Sequence, residues 1–250
     1  MRGDIGSPPI EKLRALSRFL PFGPVGMKDI AVLEELAGPT RTLAKGATIR
    51  AVGEPVSTLD LLVKGWAAST IVLQDGTRQL VSVNLPGDVL GLPALSLAEP
   101  IDDVVALGPV TVRSIPLSGV TRLFEEHPRL AATLFLIAQE ERMLAMERIA
   151  LMGQALAKTR LAGLFVRLNE RMGQFDDGWD NAFELPLTQR DMADLIGVTT
   201  VHLNNVVQDM RRDGIIQLTR SELRILDLDR LLALAALSPW RQSTPGWLPA

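Results

Sequence analysis

The sequence predicts an α+β chain of three successive parts: an antiparallel all-β domain, one long helix, and a helix-turn-helix followed by a two-stranded wing. Three observations carry this prediction. Between Arg41 and Leu117, short apolar runs such as LDLLV, AASTIVL and QLVSVNL are punctuated by Gly46, Gly53, Gly65, Gly76, Gly87 and Gly108, the rhythm of short strands joined by turns. From Pro128 to Ala157 there is no further proline and one glycine, Gly153, in a run rich in Ala, Leu, Met, Glu and Arg, all strong helix formers. From Leu187 to Ile216, capping residues and inward apolar positions repeat as two short helices around a glycine.

The 250 residues suit two modest domains better than one core. A content of 47% hydrophobic and 22% charged residues is enough to build such cores and excludes wholesale disorder. With zero cysteines the chain has no disulfide, thiolate zinc site, cysteine-held iron-sulfur cluster or cysteine nucleophile. MRGDIGSPPIEKL lacks the apolar core of a secretory signal, and the apolar stretch Leu130 to Ala138 is too short to span a bilayer, so a cytoplasmic protein without membrane contact is expected. A net charge of −3 gives no general attraction to nucleic acid, so any such claim must rest on motif.

Taken in order, residues 1–18 read as an N-terminal extension, 19–122 as the β domain, 123–157 as the long helix, 158–234 as the helix-turn-helix with its wing, and 235–250 as a Pro- and Ser-containing tail with two tryptophans. Inside the β domain, Asp75-Gly76 between Ile71-Val72-Leu73 and Leu80-Val81-Ser82-Val83 predicts a hairpin, because both residues tolerate the positive φ of primed turns. The long helix carries two apolar faces, Leu134, Ile137, Leu144 and Leu151 on one side, and Leu136, Met143, Met146, Ile149 and Leu156 on the other. One face can pack on its own domain and the second on a partner; burial of both within one subunit is the alternative. GQFDDGWDNAFELP, acidic and turn-rich, reads as a loop or hairpin.

In LTQRDMADLIGVTTVHLNNVVQDMRRDGII, Thr188 caps a first helix Gln189 to Ile196 with Met192 and Ile196 inward, and Gly197 makes the turn. Thr199 caps a second helix in which Val201, Val206 and Met210 are expected to face the core. Thr200, His202, Asn204, Asn205 and Gln208 are left outside, small or amide-bearing groups able to enter a major groove and bond base edges. Arg190, Arg211 and Arg212 lie at helix ends where phosphates can be met. Ile215 to Leu218 and Leu223 to Leu226, joined by Thr-Arg-Ser-Glu, predict a wing with Arg220 at its tip. The candidate DNA-facing set is Gln189, Arg190, Thr199, Thr200, His202, Asn204, Asn205, Gln208, Arg211 and Arg220, together with Val201, which sits among them in sequence although its period turns it inward. A plain helical hairpin is the alternative.

With these motifs the chain resembles the Crp/Fnr family, the cyclic-AMP receptor protein-like regulators, over nearly its whole length. The resemblance rests on KGATIRAVGEPVSTLDLLVKGWAA with its spaced glycines, on PGDVLGL, on the EEHP helix start, on the long helix, and on the winged motif ending in ILDLDRLLALA. It implies that the β domain is a β-roll, a double-stranded β-helix like that of cyclic-nucleotide-binding domains. It further implies a homodimer on an inverted-repeat operator in double-stranded DNA, with RNA polymerase as a further partner and a small-molecule effector. The helix seam would centre on Leu136, Met143, Met146, Ile149 and Leu156, and the effector pocket on Leu85, Gly87, Val89, Leu90, Gly91, Leu92, Pro100 and Ile101. Family positions that grip a cyclic nucleotide do not carry over: Leu92 stands where a Glu follows the glycine, and Pro100 and Ile101 stand where an Arg precedes Ser or Thr. A signal other than a cyclic nucleotide is expected. Where many members read Arg-Glu and then Arg in the recognition helix, this chain has Thr200, Val201 and Asn205; it follows a branch reading GVTxVHxN through Gly197, Val198, Thr199, Val201, His202 and Asn204.

Two other classes compete. A cupin-type metalloenzyme would share a β-roll but needs clustered histidines, and the chain has only His127 and His202, neither on a strand of the roll; a haem sensor through His127 has the same lack of partners. A cyclic-nucleotide-binding-like module acting on a protein partner would need the nucleotide grip and not the winged motif. No catalytic residue, metal ligand set or cofactor is therefore expected.

Overall fold

The computed structural model describes residues 16, 18–22, 27–97, 99–174, 178–237 and 245–248. They fall into two compact units, the described residues of 1–72, 83–140 and 242–250, and those of 73–82 and 141–241. The elements of the first part of the chain are helix α1 (Met27–Leu36), strands β1 (Thr40–Leu43), β2 (Thr48–Arg50), β3 (Thr58–Lys64), β4 (Ala67–Val72), β5 (Arg78–Asn84), β6 (Val89–Leu90), β7 (Asp103–Ala106) and β8 (Val110–Pro116), then helices α2 (Leu117–Glu126) and α3 (Pro128–Gln154). The strands make two four-stranded sheets, β1-β8-β3-β6 and β2-β7-β4-β5, with β8 antiparallel to both β1 and β3, and β7 antiparallel to both β2 and β4.

The run LDLLV in β3 has no polar alternation because both its faces are covered. Leu59 and Leu61 point into a cluster with Leu33, Leu36, Val120, Leu134 and Ile137 of the helices, while Leu62 joins Ile49, Leu90, Val104 and Val112 from the strands of both sheets. Opposite faces on successive residues follow from the pleat, and two sheets closed over one core with helices outside make the β-roll. The hairpin expected at Asp75-Gly76 forms: the Leu73 N–H donates to the Thr77 carbonyl at 2.9 Å, and the Asp75 carboxylate accepts the Thr77 N–H at 2.8 Å. The N-terminal extension expected through residue 18 gives way to core sooner, since Leu16 is already buried.

The helical region divides more finely than its composition implies. Pro128 disfavours helical geometry in the residue before it, and His127, at φ −131 and ψ 61, separates α2 from α3. The long helix ends at Gln154 rather than Ala157, just past Gly153. Leu156 is extended and flanks helix α4 (Ala157–Gly173), and the Arg160 guanidinium accounts for the freed Ala155 carbonyl at 2.9 Å. Among the described residues no helix is long and apolar enough to cross a membrane.

Beyond α4 come β9 (Ala182–Glu184), α5 (Gln189–Ile196), α6 (Thr200–Arg212), β10 (Ile216–Leu218), β11 (Glu222–Ile225) and α7 (Leu228–Ala235). The wing strands β10 and β11 pair antiparallel, and β9 adds a third strand through Phe183 opposite Leu223. The acidic stretch expected to be a loop or hairpin thus supplies a strand; its residues 175–177 lie outside the described residues. In the tail, Trp240 also lies outside them, and Trp247 is exposed.

Candidate nucleic-acid interface

The first helix of the motif is held at both ends by its own sequence. Thr188 Oγ1 accepts the Asp191 N–H at 3.1 Å, and the buried Asp191 carboxylate accepts the Thr188 N–H at 2.9 Å and its hydroxyl at 2.7 Å, a reciprocal capping box. Gly197 ends the helix at φ 66, ψ 48, a left-handed conformation that glycine adopts without penalty. A Cβ there would stand 2.8 Å from Cε of Met152. Arg160 donates to the Ile196 carbonyl at 3.2 Å, a cation where the helix dipole favours one. Thr199 then caps α6 by accepting the His202 N–H at 3.2 Å.

Helix α6 buries Leu203, Val206, Val207 and Met210, the i, i+3, i+4, i+7 stripe of a surface helix. Val201, expected to face the core with Val206 and Met210, instead is 72% exposed. At about 100° per residue it lies some 200° around the helix from Leu203, on the solvent side. With it outside are Thr200, His202, Asn205 and Gln208, together with Gln189, Arg190, Thr199, Arg211 and Arg220; Asn204 is half-buried. A cleft of about 570 Å³ gathers Gln189, Asn204, Gln208, Arg211 and Arg220 over Met192, Val207 and Leu218. Arg190, Thr199, Thr200, Val201, His202 and Asn205 do not line it; the last four lie on the outer face of α6. Arg220 reaches the tip of the wing, whose turn closes through the Thr219 N–H to the Glu222 carbonyl at 2.9 Å and the Glu222 N–H to Thr219 Oγ1 at 3.0 Å.

The charges are sorted. Arg212 is tied to Asp209 at 2.6 Å, and Lys158 to Asp213 at 2.6 Å; the hydrogen bond from Lys158 holds the Asp213 carboxyl below its ordinary value. Arg190, Arg211 and Arg220 have no ion-pair partner among the described residues, so three guanidinium groups around α6 stay available to anions. From Thr199 to Gln208 the helix carries no Asp, Glu, Lys or Arg.

A second surface lies on α3. Its buried residues include Leu130, Leu134 and Ile137, while Phe135 (53%), Met143 (51%), Met146 (50%) and Ile149 (69%) are exposed along the opposite side, with Leu136 half-buried at its edge. Phe135 belongs to this stripe although periodicity alone did not single it out. Leu156 is exposed but falls beyond the helix end.

The expected effector pocket is not brought together as one lining. Leu85 and Gly87 are buried, Val89 packs in the helix-facing core, Leu90 packs in the core between the sheets, Gly91 and Leu92 are half-buried, Pro100 is buried and Ile101 exposed. A cation does lie against this region, at a position that the sequence analysis did not single out. The Arg50 guanidinium is buried against Gly91, where a Cβ would stand 2.4 Å from its Nη2. Arg50 donates to the Thr58 carbonyl and lies 3.5 Å from the Asp60 carboxylate, which also accepts the Ser114 hydroxyl and faces Arg41 at 3.5 Å. The signal was present in the strand runs TIR and LDLLV, each holding a single charge that needs a partner when buried. His127, the histidine of the haem alternative, is half-buried with Nε2 3.9 Å from Glu126. Among the described residues no group of three or more His, Cys, Asp or Glu is placed to hold a metal ion.

Residues 159–234 match the Crp-like helix-turn-helix domain, and residues 40–127 the cyclic nucleotide-binding domain. The sequence is 28% identical over 215 residues to the transcriptional activatory protein AadR of Rhodopseudomonas palustris, covering 86% of this chain and 88% of that protein. It is 30% identical over 165 residues to the nitrogen fixation regulation protein FixK of Bradyrhizobium diazoefficiens, covering 66% and 68%. The solved structure of FixK2 from Bradyrhizobium japonicum matches with a TM-score of 0.71 at 23% identity, over 81% of this chain and 99% of that one.

Proposed function

The chain belongs to the Crp/Fnr family of transcription regulators, and from that premise we propose that it acts as a homodimer that reads an inverted-repeat DNA site under a signal other than a cyclic nucleotide. The observation that carries the proposal is the outer face of α6, capped by Thr199 and free of Asp, Glu, Lys and Arg as far as Gln208, beside a cleft that holds the uncommitted Arg211 and Arg220. Thr200 and Asn205 face the bases, His202, Asn204 and Gln208 the groove walls, and Arg190, Arg211 and Arg220 the phosphates. The recession of Asn204 into the cleft beside Arg211 and Arg220 supports that division.

The exposed apolar stripe on α3 supports self-association, since a second copy covers the same patch on both subunits. Two recognition helices related by that two-fold axis then meet half-sites about 10 base pairs apart. Bound there, the dimer acts in the cytoplasm, with RNA polymerase as the partner that converts occupancy into transcription; no catalytic step is proposed. Against a cyclic nucleotide stand Leu92, which offers no acceptor to a ribose hydroxyl, and Arg50, whose charge is already answered by Asp60. A phosphate would have to compete for Arg50 with that carboxylate, which the Ser114 hydroxyl and Arg41 also hold in place. Calorimetry should accordingly give no tight binding of cyclic AMP or cyclic GMP, and a micromolar or better constant would overturn this part.

Selection from a random duplex pool tests the whole. The full-length protein, with or without cell extract to supply a signal, should enrich a palindrome; recovery of none sinks the proposal.

A further inference from the structure

An apolar side chain stands in water on a helix that is otherwise well sorted. Val201 is 72% exposed while Leu203, Val206, Val207 and Met210 are all buried, and a β-branched residue at an exposed helical position brings neither packing nor helix propensity. One turn further on, at i+4, the exposed Asn205 shares its side of the helix. No acid, lysine or arginine lies on α6 before Asp209. We infer that Val201 and Asn205 read A·T base pairs, Val201 through the C5-methyl of a thymine and Asn205 through adenine.

The chemistry follows from what each base edge offers in the major groove. Guanine is read by Arg or Lys on O6 and N7, cytosine by an acid accepting from N4, thymine by apolar contact with its methyl, and adenine by an amide that donates to N7 and accepts from N6. The outer face of the first turns of α6 holds Thr200, Val201, His202 and Asn205, and neither the Arg or Lys that reads guanine nor the acid that reads cytosine. Four residues of helix advance about 6 Å against about 3.4 Å per base step, so the thymine and the adenine fall one or two steps apart in each half-site. Buried against the methyl, Val201 gains apolar contact that it lacks in the free protein. This specificity rests on the DNA-reading proposal above.

The test separates the two. A palindrome is first selected with the wild-type chain, and each of its thymines is then replaced by deoxyuridine, which removes only the methyl. Binding is read by fluorescence anisotropy at fixed salt. One thymine per half-site should matter, with a loss of about fourfold for one half-site and about fifteenfold for both, the worth of one buried methyl each. Val201→Ala, a change at an exposed position that favours helix and withdraws the two methyl groups that reach furthest, should narrow the gap between the thymine and deoxyuridine duplexes. Asn205→Ala should keep the deoxyuridine penalty and lose its preference for adenine. A selected site whose fixed positions are all G·C, a deoxyuridine series without effect, or a penalty undiminished in Val201→Ala would each overturn the assignment while leaving the regulator proposal standing. Failure to select any palindrome removes the DNA-reading proposal and this assignment with it.

Discussion

The double substitution Met146→Glu with Ile149→Glu should dissociate the dimer. Fully burying a methionine or isoleucine side chain contributes roughly 1.5 to 3 kcal/mol. Met146 still exposes 50% and Ile149 69% of its surface in the single chain, so covering each by a partner contributes about 1 to 2 kcal/mol. A two-fold interface holds four such side chains, about 4 to 8 kcal/mol in all, and at 1.4 kcal/mol per decade their loss weakens the dimer by at least about three orders of magnitude. Four carboxylates brought into an apolar seam add a desolvation cost on top. Because both residues are exposed and glutamate is a good helix former, the monomer should keep its circular dichroism spectrum. Sedimentation equilibrium should then show a monomer at concentrations where the wild-type chain is dimeric, and affinity for a palindromic duplex should fall in step. A variant that stays dimeric with unchanged affinity would refute the stripe as the interface. Phe135→Ala, at the N-terminal end of the same stripe, should weaken the dimer in the same direction.

On DNA, Asn205→Ala should cost about 1 to 3 kcal/mol on the preferred site and flatten base preference at one position, whereas Arg190→Ala should weaken all duplexes alike and lower the salt slope by about one unit; titrations over a salt series distinguish them. Gly197→Ala forces a left-handed φ on alanine and sets a Cβ against Met152, and calorimetric melting should show a loss of about 1 to 2 kcal/mol. Asp213→Asn removes the partner of Lys158. Since the hydrogen bond from Lys158 holds the folded carboxyl below its ordinary value, its contribution is fully present above that ordinary value and lost as pH falls through the lowered one. The variant should melt below wild type at neutral pH, and the gap should close under strong acid; a gap constant with pH would refute the pairing.

What could be read in the sequence was local. Thr188, Gly197 and Thr199 each act on backbone groups within a few residues, and the helices they delimit have the expected ends, Gln189–Ile196 and Thr200–Arg212. The hairpin at Asp75-Gly76 is local in the same sense. What escaped depends on partners distant in sequence. Strand β9 exists because Phe183 finds Leu223; its own acidic, turn-rich surroundings left loop and hairpin equally open and named no partner strand. The end of α3 is set where Arg160, in the next helix, captures the Ala155 carbonyl, which composition cannot foresee. Arg50 and Asp60 sit ten positions apart in runs that look apolar, and only the fold shows that one answers the other.

The inward expectation for Val201, which also stood in the candidate DNA-facing set, failed for a different reason, and the failure is informative. A valine two residues into an amphipathic helix is assigned inward because burial is the usual way for an apolar side chain to lower its free energy. Here the inward stripe is complete without it: Leu203, Val206, Val207 and Met210 already fill that side, and a valine added to it would have to lie at Val201's own angle, which faces water. The outward arginines Arg190, Arg211 and Arg220 break the opposite habit, since cations beside acids usually pair, as Arg212 does with Asp209. Both departures fall in one unit, on α5, α6 and the wing. A hydrophobe without a core and cations without counter-ions are each unfavourable in the isolated chain, and both are relieved by the same surface, an anionic backbone whose groove displays methyl groups.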